Sequence, residues 1–440
     1  MSVPFFVVLP DSTKSKIAIV QSNGSFRLPQ FQTEESARFN TVSKINSAVS
    51  AAWQVPVTVA RCITPDENNL PAVFSLHNHA PSWQLPAEAQ WVEVSRLKDL
   101  AFELPLQRQA VLSWLASEQD AAWKTVPWSS PAWFARAADW IRQSVTDLGA
   151  VVLNIEQQRT WAISCILKVS TSTGVLYFKA VPDFFGHEPV LAMYMQQNFA
   201  QYMVEIAAIE PEQHWTLTRE WAGSPPANKD EWANILRALK EIQEQCNESL
   251  DDLLLFGCKD RRISQLPALL QPIYDDVKSE QMRALFGINE TEAQELGRRL
   301  TLLPALCQKL ASFGIPETLV HGDLWSSNVI VEDRISGKAP IIFDWTDAAL
   351  SHPFFDIYCV ITSERDAQMR LEQQRAHLEV WSESYPAATV NAAFDASQMV
   401  APFYYLLAYR HVALNAPAEA RWELLFLLQR FVRKILELPL

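Results

Sequence analysis

Three polar side chains crowd into His321-Gly322-Asp323-Leu324-Trp325-Ser326-Ser327-Asn328, and Asp344 follows the next apolar run. A carboxylate such as Asp323 can take the proton of an attacking hydroxyl, and at ordinary acidity it is ionised near neutral pH without special tuning. An amide oxygen and a second carboxylate are hard ligands of the kind magnesium accepts while keeping several waters. These are the parts needed for phosphoryl transfer from a nucleotide, where the protein chiefly positions groups and neutralises charge.

Such chemistry also needs a lysine on a strand to hold phosphates and a helix glutamate to orient it. Lys179 ends the strand-like run "VLYFK", and Glu188 begins the helical run "EPVLAMYMQQNFAQYM". Lys168, on the preceding strand, is the rival, but no glutamate opens a helix behind it. The runs "VIVED" and "PIIFD" flank the turn "RISGK", so a hairpin is expected to return Asp344 to the side of Asn328.

The elements that must position these groups follow from pattern. Residues 1–118 hold short strand-like runs ("PFFVVLP", "KIAIVQ", "VPVTVARCI", "AVFSLHN") and two helical stretches, "TEESARFNTVSKINSAVSAAW" and "PLQRQAVLSWLASEQDAAW", which predict a separate small α+β domain. Ser129 and Ser130 before Pro131 start a helix and Gly149 stops it; Trp133, Phe134, Ala137 and Trp140 give it an apolar face. Strands "AVVLNIE", "TWAISCILKVS" and "VLYFKAVP" follow, then "HWTLTREWAG" ends in a hinge at Gly223-Ser224-Pro225. From Trp232 onward the chain reads as helical, interrupted by 316–347. The expected domains are 1–118, 119–223 (a small lobe with a leading helix) and 224–440 (a helical large lobe carrying the motif).

Composition narrows the classes. The 440 residues are 49% apolar and 20% charged, as in a folded globular chain too long for one core. A net charge of −13 argues against nucleic acid and anionic membranes as partners and is compatible with a cationic small molecule. The six cysteines form no CxxC pair, which predicts reduced core thiols. Neither a signal peptide nor a membrane-length apolar run is evident, so a cytoplasmic protein is expected.

Asp323, Leu324 and Asn328 stand as in the kinase catalytic-loop pattern H-R-D-L-x-x-x-N. The stretch "LVHGDLWSSNVIVEDRISGKAPIIFDWTDAALSHPFFDIY" resembles the aminoglycoside phosphotransferase family, a branch of the protein-kinase-like fold, and is similar also to fructosamine kinases and the choline-kinase-like group. The resemblance spans roughly residues 128–440 and is strongest over 318–358. It implies an α+β fold of two lobes, a small antiparallel sheet and a mainly helical part, preceded by the N-terminal domain. ATP and Mg2+ would be the cofactors and a hydroxyl (or amine) of a small molecule the acceptor. Asp323 would be the base, His321 a support for its loop, and Asn328 with Asp344 the metal ligands. Lys179 and Glu188 would pair on the nucleotide side, Asp356 would brace the catalytic loop, and backbone groups of Arg219, Glu220 and Trp221 would meet the adenine.

Two departures qualify this. The turn expected to cover the phosphates, Gln157-Gln158-Arg159-Thr160, has no glycine, which admits a second reading as an inactive, nucleotide-binding regulator. The segment "WTDAALSHPFF" replaces the D-F-G and long activation loop of protein kinases, pointing to a small-molecule acceptor. The first domain faintly resembles Nudix proteins, but only Glu34 and Glu35 lie near its helix, so hydrolase chemistry is not expected. Asp347 reads as a cap for a following helix, Arg261 and Arg262 as a solvated turn or partners of "ESLDD", and Tyr409, Arg410 and His411 as packing residues on a C-terminal helix.

Overall fold

The computed structural model describes residues 3–22, 24–34, 39–65, 71–119, 126–331 and 339–439. The chain divides into two compact units, Met1–Pro182 with Ala416–Arg421, and Asp183–Asn415 with Trp422–Leu440. The expected α+β organisation, sheet-rich first and helical later, is what forms.

Unit 1 begins with β1 (Val3–Val8), β2 (Lys16–Ser22), β3 (Ser25–Arg27), β4 (Gln30–Thr33), α1 (Ser43–Trp53), β5 (Val57–Thr64), β6 (Ala72–Asn78), β7 (Ala89–Glu93) and α2 (Pro105–Gln119). One sheet has the order β4-β1-β6-β5, with β1 and β6 parallel; a second has the order β3-β2-β7. The helix expected from residue 33 starts only at Ser43, because Gln30–Thr33 alternates exposed and buried residues and pairs with β1. That period of two is a strand's. Helix α1 contains no acidic residue, Glu34 is exposed, and Glu35 lies outside the described residues, so no Nudix glutamate set is found among the described residues.

Helix α3 (Pro131–Asp147) runs from Ser130 and stops before Gly149, which takes a left-handed φ of 74°. Its Trp133 and Trp140 pack on Phe178, with ring centroids 6.1 and 5.9 Å away. The antiparallel strands β8 (Val152–Thr160), β9 (Cys165–Thr171) and β10 (Gly174–Ala180) complete the unit. Here the expected turn at 157–160 is corrected: those residues belong to β8, and the turn is Trp161–Ser164, closed by Trp161 N donating to Ser164 O at 3.1 Å. The cause is Gln157, which is buried. Its Oε1 accepts from Val59 N (2.9 Å) and Asn46 Nδ2 (3.0 Å), while Nε2 donates to Val59 O (2.9 Å). The side chain thus stands in for a strand partner and draws β8 onto β5.

Unit 2 opens with α4 (Glu188–Phe199), the hairpin β11 (Ile206–Glu210) and β12 (Trp215–Arg219), and α5 (Lys229–Cys246), whose first turn is capped by Asn228 accepting from Glu231 N at 3.0 Å. Shorter helices follow: α6 (Leu250–Leu255), α7 (Leu266–Leu269), α8 (Ile273–Asp276), α9 (Glu280–Phe286), α10 (Glu290–Leu300) and α11 (Leu303–Ala311). Strands β13 (Lys259–Asp260), β14 (Thr318–Val320) and β17 (Ala349–Ser351) form a three-stranded sheet, and β15 (Val329–Ile330) pairs with β16 (Ile341–Ile342). Helices α12 (Phe354–Ser363), α13 (Ala367–Ser382), α14 (Ala387–Asn415) and α15 (Trp422–Leu436) close the unit. All six cysteines are free and buried, as core thiols should be. No helix among the described residues is long and apolar enough to cross a membrane.

Two histidines of this core carry a buried Nε2 without a hydrogen-bond partner: His352, and His377, which packs 4.5 Å from the Phe354 ring. Burial pushes both down to about 3. Below the ordinary histidine value near 6.5 the unfolded chain takes up protons that the folded one refuses, so stability falls as pH drops from there towards 3. His377→Phe should flatten this slope, recovering on the order of 2 kcal/mol at pH 4.5 relative to wild type in urea unfolding. Gln157→Leu should cost roughly 2–4 kcal/mol at neutral pH in the same assay, since it strands both backbone groups of Val59.

Candidate functional site

The loop after β14 is fixed by one carboxylate. Asp356, in the first turn of α12 and 1% exposed, accepts from His321 N (3.0 Å), Gly322 N (2.9 Å) and Gln243 Nε2 of α5 (3.0 Å). Burial pushes it up to about 7, against the pull of those donors. Gly322 has φ 79°, and a Cβ there would meet the Asp347 carbonyl oxygen at 2.4 Å. The backbone must therefore be glycine for the two loops to touch. His321 is fully buried; its Nδ1 accepts from Asp323 N (3.3 Å), which leaves Nε2 to donate to Phe343 O (2.9 Å). One ring thus ties the Asp323 loop to the residue before Asp344.

The hairpin expected around Asp344 forms through β15 and β16, with Val329 opposite Ile342; its turn, 332–338, lies outside the described residues. Asn328 is 9% exposed, and its Nδ2 donates to Asp323 O (2.8 Å) and Oδ2 (3.2 Å). Phe343 N donates to Asn328 O at 3.1 Å, so the residues flanking Asp344 are registered on the Asn328 strand. Asp344 itself is held left-handed at φ 66°, ψ 58°, and its Oδ1 accepts from Thr346 Oγ1. A non-glycine residue kept in that region is a strain the surroundings must enforce. Asp347 precedes strand β17 rather than a helix, which corrects its reading as a helix cap.

Burial first, then the Asp347 and Asp344 carboxylates, raise Asp323 well above the usual carboxylate range. This departs from the ordinary acidity expected of it. The physical reason is burial, to which the two neighbouring carboxylates add, and a divalent cation would reverse that logic. Among the described residues no three His, Cys, Asp or Glu side chains form a metal cage. Asn328 and Asp344 would offer instead an amide and a carboxylate oxygen, hard donors of the type magnesium accepts when water and phosphate complete its shell.

Trp325, to which the sequence reading gave no role, and Tyr409, which it left as packing, complete the surroundings of Asp323. Trp325 Nε1 donates to its Oδ1, and so does the Tyr409 hydroxyl of α14 at 3.2 Å. Tyr409 lies flat on Phe431 of α15, centroids 5.3 Å apart and planes 7° apart. The signal for Trp325 was in the motif itself; none marked Tyr409, which reads like its apolar neighbours. Arg262 forks onto Asp260 (2.9 and 2.6 Å) rather than "ESLDD", and Arg261 is buried over Tyr404.

On the expected nucleotide side, Lys179 is half-buried on β10 in unit 1, and Glu188 is the first residue of α4 in unit 2, 6% exposed. The Arg219 guanidinium pairs with Glu205 (2.6 Å), and its backbone N–H donates to Glu205 O (2.9 Å). The Trp221 ring lies 4.9 Å from Phe343. Ser224 and Val331 exchange backbone hydrogen bonds (3.2 and 3.0 Å), and a Cβ on Gly223 would sit 2.2 Å from Ile330 Cγ2. The segment carrying Arg219, Glu220 and Trp221 is thereby docked on the Asp344 hairpin.

Residues 199–388, which hold this whole arrangement except Lys179, Glu188 and the α14–α15 residues, match the model of the phosphotransferase enzyme family. A search of curated protein sequences finds no match. Among solved structures, a choline kinase, LicA, from Streptococcus pneumoniae is 13% identical, with 68% of this chain and 99% of that one covered and a TM-score of 0.45. An ethanolamine kinase from Plasmodium vivax is 12% identical over 78% and 97%, TM-score 0.49. The spectinomycin phosphotransferase APH(9)-Ia, in complex with ADP and spectinomycin, is 10% identical over 67% and 97%, TM-score 0.43.

Within the matched segment, the contact under Gly322 allows a controlled comparison. Gly322→Ala should cost about 3 kcal/mol or more in thermal unfolding, through strain and the clash with Asp347. Gly314→Ala, at a similar φ of 69° with nothing within 4 Å, should cost only about 1 kcal/mol.

Proposed function

We propose that the chain is an ATP- and magnesium-dependent phosphotransferase that moves the γ-phosphate to a hydroxyl of a small molecule. The observation that carries this is the Asp323 carboxylate, gripped by Trp325 and Tyr409 and bridged through Asn328 to the Asp344 hairpin. In this reading the acceptor oxygen attacks phosphorus in line, its proton passes to an Asp323 oxygen, and the bond to the leaving ADP oxygen breaks. General-base assistance of this kind contributes about 10²–10⁴-fold. His321 positions the loop, Asn328 and Asp344 hold magnesium, and the metal supplies charge neutralisation when bound. Lys179 paired with Glu188 serves the phosphates, and backbone groups at Arg219–Trp221 serve the adenine. Residues 119–223 then act as the small lobe and 224–440 as the large one.

One observation favours the second reading, a nucleotide-binding regulator. The Trp161–Ser164 turn between β8 and β9 contains no glycine to bring backbone amides close to phosphate. A single experiment separates the two. Phosphate transfer is measured over an acceptor panel for wild type and Asp323→Asn, with ATP affinity measured in parallel. Transfer by wild type should fall at least 10²-fold in the variant, with ATP affinity changed less than about threefold. Near-normal turnover by Asp323→Asn would remove it as the base; ATP binding without transfer to any acceptor would support the regulator.

A further inference from the structure

An acceptor that reaches Asp323 must fit the groups around that carboxylate, and these limit its charge. Behind the Trp325 indole lies Arg430 of α15, its guanidinium carbon 5.4 Å from the indole centroid and 5.8 Å from that of Phe431. The side chain is half-buried, and one terminal nitrogen donates to Thr362 O in the last turn of α12. Among the described residues it has no carboxylate partner. Arg410, Arg299 and Arg262 do pair, with Asp276, Glu295 and Asp260, whereas the buried Arg261 lies over the Tyr404 ring and, among the described residues, also has no carboxylate partner. Removing a cation from water without an anion to meet it is costly. A helix C-terminal carbonyl accounts for one of the five N–H donors of the fork and leaves the rest unused.

The aromatic groups point the same way. A quaternary or protonated amine is recognised by open ring faces. Here Arg430 already covers a face of Trp325, while Tyr409 is stacked on Phe431 and lies 6.5 Å from Tyr405 at 23°. One face of Trp325 and one of Tyr409 are therefore taken. The charge of −13 belongs to the whole chain, and beyond about 8–10 Å salt screens it.

We infer that the acceptor is an anionic small molecule, carrying a carboxylate or phosphate group beside the hydroxyl that is phosphorylated, and that Arg430 binds this anion. The inference rests on Asp323 as the base of the proposed reaction. Its phosphoryl balance is unchanged; the anion is a handle and takes no part in bond making.

The test uses the full chain with a non-hydrolysable ATP analogue and magnesium, titrated calorimetrically with glycerate, glycerol 3-phosphate, glycerol and choline, with phosphate transfer to each measured separately. Wild type should bind one or both anions at least tenfold more tightly than glycerol, and which of the two wins identifies the carboxylate or the phosphate. Arg430→Met should erase that margin while leaving affinity for the nucleotide analogue unchanged. Arg430→Lys, which keeps the charge and could still reach Thr362 O, should retain part of the margin but lose the fork's preference. It also provides the reading should the methionine variant fold poorly. Equal weakening for all four compounds would reduce Arg430 to a structural cap and overturn the inference. So would tighter binding or faster transfer with choline, or no anion preference in wild type. None of these outcomes touches the phosphotransferase reading, which falls only if Asp323→Asn still transfers phosphate.

Discussion

Asp356 sets the geometry on which the candidate site depends. A buried carboxylate that accepts two consecutive backbone N–H groups fixes the direction of the chain at His321 and Gly322, and Gln243 fixes the carboxylate from α5. Once that direction is set, Gly322 can lie against the Asp347 carbonyl and His321 can reach Phe343. The proposed base and the proposed metal ligands are then held by backbone as well as side chains. The three donors offset only part of the cost of burial, which still pushes this carboxyl up to about 7.

Much of this was legible in order along the chain. His321, Asp323 and Asn328 fall in one short loop, and the hairpin to Asp344 follows from two apolar runs around polar turn residues. Their relation is local, so pattern exposes it. Asp356 was expected as a brace from resemblance rather than periodicity, and its hydrogen bonds match that place. Tyr409 and Arg430 were not legible, because they come to Asp323 and Trp325 from α14 and α15, and helical periodicity says only which face is buried. What a buried tyrosine finds at the end of its ring depends on how the helices cross.

The first unit teaches a different lesson. Gln157 looked like a turn residue because glutamine is polar and its neighbours are too. Its amide instead completes the edge of another strand through Val59, burying a polar side chain at no loss of hydrogen bonds. The same substitution of side chain for backbone moved the turn to Trp161–Ser164, where the Trp161 indole closes on Ser164 Oγ at 2.7 Å. Likewise the helix expected from residue 33 yielded to β4, since pairing with β1 buries Phe31 and Thr33 on one face.

The short connection between α14 and α15 belongs with unit 1, although both helices belong to unit 2. Within unit 1, Glu419 of that connection faces Arg61 at 3.7 Å, both side chains largely buried, and Arg61 is steadied by Ser117 at 2.9 Å. The N-terminal portion is consequently not a detachable module: its fold includes a clip drawn from near the far end of the polypeptide. A ribosome must pass Arg421 before unit 1 has these parts, and a protease that cut one crossing between the units would leave two others intact.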